Sequence, residues 1–189
     1  MKKKGLIVLV AVIAIIVILG ASLAGAYNGF VEKEEALESA QSQVQINLQR
    51  RADLIPNFVN TVKGYSDYES ATYLAVTEAR SKVADADDVD EQQAASNELD
   101  SAISIWVNAV TEAYPELKAD AQYRALQDEL AGSENRIATA RRDYNKVAEE
   151  YNKSVRRFPG SILAAIFDFE KADYFEADEG ASSVPQVTF

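Results

Sequence analysis

The sequence predicts an all-α protein: an N-terminal transmembrane helix, then an up-down bundle of about four helices, the first and last long. Three observations carry this. Residues 6–26 are apolar or small and carry no charge. Beyond them, apolar residues recur in alternating steps of four and three, the helical period. Glycine and proline are scarce, 8 and 4 in 189 residues, which favours long helices over sheet. No strand-period alternation of useful length is present.

Composition also removes chemistry. With no cysteine there is no disulfide, thiolate metal site or cysteine nucleophile. With no histidine, the usual general base near neutral pH and the commonest metal ligand are missing. Carboxylate-only Mg²⁺ or Ca²⁺ sites stay possible but lack a signature. No cofactor is expected. The net charge is −11; Lys2, Lys3 and Lys4 contribute +3 and residues 5–26 nothing, so residues 27–189 carry −14. Such a remainder repels nucleic acid and anionic headgroups, and simple solubility explains it.

Residues 1–26 form the first region. "LIVLVAVIAIIVIL", residues 6–19, extends without charge to Ala26. As helix, those 21 residues reach about 32 Å, enough to span a bilayer through Leu6, Ile7, Val8, Leu9, Ile13, Ile16 and Leu19. The three lysines place the N-terminus in the cytoplasm and the rest outside it. A cleaved signal peptide is the rival, because Ala24-Gly25-Ala26 fits an A-x-A site. The uncleaved anchor is preferred. "LAGA" falls one cysteine short of a lipoprotein site. Gly20 and Ala24, like Ala21 and Gly25, have small-xxx-small spacing.

Residues 27–160 form the bundle. The first helix is expected from Tyr27 to Gly64, with a seam of Leu37, Val44, Leu48, Ile55, Phe58 and Val62; Tyr65-Ser66-Asp67 makes the turn. The second runs from Tyr68 to Ala84 with Ala71, Ala75, Ala79 and Val83 inward. "DADDVDE", residues 85–91, is a loop placed to cap the third helix. That helix spans Asp90–Ala113 with Leu99, Ile103, Trp106 and Val110 inward, and Pro115 ends it. The fourth runs from Leu117 through Gly132-Ser133 to Phe158, and Pro159-Gly160 closes it. Its seam reads Leu130, Glu134, Ile137, Arg141, Tyr144, Ala148, Tyr151, Val155 and Phe158.

Charges fall on these seams. Within "LQRRADLIPNF", residues 48–58, Arg51 occupies the inward stripe, as Glu134 and Arg141 do in the fourth helix. Counting from the turns brings Arg51, Arg80, Asp100 and Glu134 to one level. A buried charge is costly unless paired, so an ionic layer fixing register is expected, with Arg51 and Glu134 its leading pair. Arginines snorkelling outward singly are the alternative. Pro56 is expected to kink the first helix one turn away.

The long outer helices overhang the middle two near the anchor, which sets Phe158 close to Tyr27. "SILAAIF", residues 161–167, is too short to span. Two readings stand: Phe158, Ile162, Leu163, Ile166 and Phe167 lie at the membrane interface, or they pack under the bundle. A two-helix stalk buries little alone, so homo-oligomerisation is expected. Residues 161–189 make the third region, a short apolar helix and an acidic tail with little core of its own.

These residues resemble the LemA family over nearly the whole chain. The resemblance rests on "YN" at Tyr27-Asn28, "QINLQRRADLIPNFVNTVKGY", "VTEARSKV", "ELAGSENRIATARRDYNKVAEEYN", "FPGSILAAIFDFEKADYF" and the closing "VPQVTF". It implies a helical bundle on a membrane anchor. It also implies an envelope or membrane-organising role, since relatives occur in magnetosome membranes and beside membrane proteases or other envelope proteins. Tyr144-Asn145 and Tyr151-Asn152 repeat at seven residues, so they share one face. The tyrosines are expected to pack and the asparagines to bond across helices.

The function expected is a non-enzymatic, self-associating envelope scaffold held in the bilayer by residues 6–26. Its rivals are an adaptor for a membrane protease, a soluble periplasmic bundle after cleavage, and an enzyme using only carboxylates. For the last, Glu149-Glu150 and the acidic loop are the best candidates.

Overall fold

Helix α1 is the dominant element, spanning Lys2–Lys63 without interruption, so the apolar N-terminal run and the first bundle helix are one helix. The computed structural model describes residues 2–63 and 71–176, with side chains over 6–61 and 72–176. Expectations on Val62, Gly64, Tyr65, Ser66, Asp67, Tyr68, the Ala71 side chain and the tail beyond Glu176 lie outside the described residues. After α1 come α2 (Ala71–Asp85), α3 (Val89–Ala113), a 3-10 turn (Pro115–Ala119), α4 (Ala121–Arg156) and α5 (Gly160–Phe167). No strand occurs among the described residues. One helix, α1, is long and apolar enough to cross a membrane. Pro56 sits inside it, leaving the Ala52 carbonyl without its helical donor.

The chain divides into two compact units: residues 1–39 with 146–172, and residues 40–145 with 173–189. In the second unit the partners of α1 give the topology. Gln41 Nε2 donates to the Asp87 carbonyl and Gln45 Nε2 to that of Val83, so α2 runs antiparallel to α1. Lys82 meets Glu98, and Tyr73 meets Trp106, so α3 runs antiparallel to α2. Phe58 meets Tyr123 and Arg50 meets Glu129, so α4 also opposes α1. The result is an up-down bundle. Val44, Leu48, Val76, Val83, Leu99 and Val110 fill its core at 0% exposure. The Phe58 ring lies between Trp106 at 4.9 Å and Tyr123 at 5.1 Å.

Several boundaries differ from the expected ones for local reasons. The third helix starts at Val89 because the Asp88 carboxylate accepts the Glu91 N–H at 2.7 Å, an N-cap. Glu91 accepts in return from the Asp87 N–H at 3.0 Å. The fourth helix starts at Ala121, not Leu117, because Asp120 accepts from both Gln122 and Tyr123 N–H groups. Leu117 is buried in the 3-10 turn instead. In α2, Ala75 is exposed and Val76 buried, because the stripe advances by three and four rather than by four alone. Gly132-Ser133 does not break α4; Ser133 Oγ donates back to the Leu130 carbonyl.

In the first unit, Phe30, Tyr151, Val155 and Ala164 form a small core, joined by Leu37, Leu163, Phe169 and Ala172. It holds α5 by one side. Gly160 starts that helix so close to α4 that a Cβ there would overlap the Ser154 carbonyl oxygen. α5 ends at Asp168, whose φ of 62° is left-handed, a conformation aspartate tolerates better than most residues.

Two glycine substitutions are expected to diverge. Gly160→Ala must displace backbone and lowers stability by about 1–3 kcal/mol. Gly132→Ala meets only the flexible end of Arg136. It raises stability by about 0.5–1 kcal/mol through helix propensity. Urea titrations of the full chain in detergent, followed by circular dichroism, compare the two.

Candidate functional site

Residues 50–53 of α1 place three charges in a single helical turn, and each pairs with a different helix. Arg50 Nη2 lies 3.3 Å from Glu129 Oε1 on α4; Arg136 Nη2 holds the same oxygen at 2.6 Å. Arg51 Nη1 lies 2.5 Å from Asp100 Oδ1 on α3. Asp53 Oδ1 lies 3.4 Å from Arg80 Nη2 on α2. The outer two pairs are exposed and stabilise by at most about 1 kcal/mol each. Arg51 differs: its side chain is 6% exposed against 38% for Asp100.

The residues expected in an ionic layer therefore separate. Arg51 and Asp100 meet directly. Arg80 pairs with Asp53 at the surface. Glu134 is exposed, on the wall of an open cleft of about 430 Å³ that Arg51 and Asp100 also line. The pairing of Arg51 is thus with Asp100 rather than Glu134. Arg141 is half-buried, with its guanidinium 5.4 Å above the Phe175 ring. The α4 seam runs through Ser133 and Ala140 instead of Glu134 and Arg141. Both phases share Leu130, Ile137, Tyr144 and Tyr151, and the smaller side chains take the buried positions.

The Tyr-Asn repeats bind backbone, where bonds across helices were expected. In the second unit Asn145 Nδ2 donates to the Phe175 carbonyl at 2.8 Å, and its Oδ1 accepts the Phe175 N–H at 2.9 Å. In the first unit Asn152 does the same to Ala172, with both bonds 2.8 Å. A carboxamide matches both polar groups of one residue, which an extended segment leaves unsatisfied. Tyr144 stacks edge-on with Phe175 at 5.1 Å and donates its hydroxyl to the Asp173 carbonyl. Burial, then the charges of Asp173 and Tyr174, push that hydroxyl up to about 12. Burial also raises Tyr151, aided by Glu34 and Glu170. Nothing in the sequence marked residues 172–175 as the partner, because what binds there is main chain.

Several of the acidic residues considered for catalysis have structural contacts. Asp88 caps α3, and the Asp87 carbonyl accepts from Gln41. Glu149 pairs with Lys153 one turn on, whose hydrogen bond holds its carboxyl below the usual range. Among the described residues, no three carboxylates converge as metal ligands would.

Comparison with known proteins adds the lineage. The LemA family model matches residues 40–189, the greater part of the chain. The chain belongs to the LemA family. Magnetosome protein MamQ 2 of Paramagnetospirillum magneticum is 26% identical over 193 residues, covering 89% of this chain and 71% of the relative. Protein LemA of Metamycoplasma hominis is 27% identical over 158 residues, 82% of this chain and 71% of its own. Magnetosome protein MamQ of Magnetospirillum gryphiswaldense is 23% identical over 187 residues, 86% and 68% respectively. None of these LemA-family relatives is named for a reaction. The sequence blocks that resemble the family hold Arg51 and both asparagine clamps with their backbone partners, whereas Asp100 lies outside them.

Two predictions follow from this geometry. Asp100→Ala leaves the Arg51 charge buried and is expected to cost about 2–3 kcal/mol, less than a fully buried pair because Asp100 is partly hydrated. Arg51→Met with Asp100→Leu recovers stability to within about 1 kcal/mol, whereas Glu134→Ala changes it by less than about 0.5 kcal/mol. Urea midpoints of the four proteins check this. Tyr144 has a raised folded pKa, so its contribution is intact below pH about 10 and is lost as pH rises towards about 12. Tyr144→Phe is expected to flatten the loss of stability across that window, read by alkaline titration of unfolding.

Proposed function

We propose that this protein is a non-enzymatic, single-pass membrane scaffold that self-associates in a bacterial envelope. The observation that carries the reading is α1. The same uninterrupted helix holds an apolar segment exposed on every side and the residues that build the bundle. A helix that is apolar all round belongs in lipid. Residues 6–26 cross the bilayer, Lys2, Lys3 and Lys4 stay in the cytoplasm, and the bundle lies outside. The names of the MamQ relatives place them in magnetosomes, which suits a membrane-organising role. Gly20, Ala21, Ala24 and Gly25 let anchors approach closely. Of the acidic side chains considered for catalysis, Asp88 caps α3 and Glu149 pairs with Lys153.

The absence of native cysteine makes topology easy to test. Ser101→Cys in intact cells is expected to react with a membrane-impermeant maleimide, and Lys3→Cys only after permeabilisation. The reverse pattern refutes the orientation. The mass of the full chain extracted into nanodiscs is expected to be a multiple of the monomer. A monomer throughout refutes self-association, and a stoichiometric membrane protease in the extract makes the protein an adaptor.

A further inference from the structure

We propose that α5 and Phe158 form an interfacial wedge that lies in the outer leaflet of the same bilayer the anchor crosses. This rests on the reading of residues 6–26 as a membrane span.

The wedge has a fixed inner face and an unpartnered outer one. Ala164 is 3% exposed in the small core with Phe30, Tyr151 and Val155, and Leu163 packs against it. On the other side Ile162 is 53% exposed and Ile166 65%, one turn apart. Phe158, just before the helix, is 81% exposed. Side chains of this size in adjoining positions make a continuous apolar patch, which water disfavours and the headgroup–acyl boundary accepts.

Its place along α1 identifies the occupant. Tyr27 directly follows the last residue of the apolar run. Its ring meets Phe167 edge-on at 5.0 Å and Phe169 at 5.8 Å. α5 is thereby held level with the end of the span, where aromatic side chains favour the membrane–water boundary. Arg156 and Arg157, both exposed, flank Phe158 and can reach lipid phosphates with their stems on the apolar layer. At eight residues α5 is too short to cross, so lying in the surface is the arrangement open to it.

Depth measurement in lipid tests the wedge. The full chain is reconstituted in phosphatidylcholine vesicles with one nitroxide on a cysteine at position 13, 101, 158, 162 or 166. Relaxation by oxygen and by a water-soluble nickel chelate gives the depth of each. Phe158→Cys, Ile162→Cys and Ile166→Cys are expected about 5–10 Å beneath the phosphates, with Ser101→Cys in water. All four positions are exposed, so the label meets no neighbouring core. Ile13→Cys in lipid with 162 and 166 as wet as 101 overturns the wedge alone. Ile13→Cys in water overturns the anchor and the wedge together. Spin–spin broadening at 162 that vanishes on dilution with unlabelled chain means a second copy covers the patch, and also overturns it.

Discussion

The pair that the bundle depends on is Arg51 with Asp100. An arginine side chain only 6% exposed stands on the same seam as the buried Val44, Leu48 and Ile55, where an apolar group would be easier to bury. The cost of removing the guanidinium from water roughly cancels the attraction it gains, so the pair adds little to net stability. Its effect is on alternatives. Sliding α3 along α1 by one turn would bring Ser96, Asn97, Ile103 or Ser104 to the guanidinium in place of the carboxylate and leave the buried charge without its counter-ion, which costs several kcal/mol. Arg50 and Asp53 extend the same constraint weakly to α4 and α2, so one turn of α1 references the register of every other helix in that unit.

The asparagines solve a different problem. After Phe167 the chain leaves helix, and its main-chain polar groups lose their internal partners. Near a protein surface, water satisfies most of them. Ala172 and Phe175 are instead met by Asn152 and Asn145, each giving one donor and one acceptor. Phe175 is 4% exposed, pressed between Tyr144 and Arg141. Side-chain amides on α4 thus do for this segment what a neighbouring strand would do in a sheet. Residues 172–175 lie outside any helix, and the bonds that hold them come from α4.

How far the sequence was legible depended on what kind of contact was being read. The seams of α1 and α3 were visible because large apolar residues recur with the helical period; Leu48, Ile55, Phe58, Leu99, Ile103, Trp106 and Val110 are all buried. Where the stripe is made of small residues the phase was ambiguous. Ser133 against Glu134, and Ala140 against Arg141, differ by one position, and periodicity cannot separate them when the flanking large residues are common to both. Arg51, bracketed by Leu48 and Ile55 on the seam, is buried at 5% exposure. Glu134 was expected as its partner and Asp100 is found instead, since level counting resolves about a turn and both residues fall within that. The asparagines of the clamps stood out as a seven-residue repeat, but their partners at Ala172 and Phe175 left no trace, because backbone has no sequence.

Helix α1 shows how one element changes its surface along its length. From Leu6 to Gly25 its side chains are exposed on every face, with Leu6, Ile7 and Ile18 above 60%. By Phe30, at 5% exposure, one face is covered by α5 and α4. The change takes four residues and contains Tyr27, whose ring packs while the side chain remains 41% exposed. Amphipathic side chains of that kind suit a boundary because one end tolerates each phase. Nothing in helix geometry marks the transition, since the hydrogen-bonded backbone is indifferent to solvent on either side. What changes is which faces are apolar, and that is written in composition alone: uniform before Ala26, periodic after Phe30.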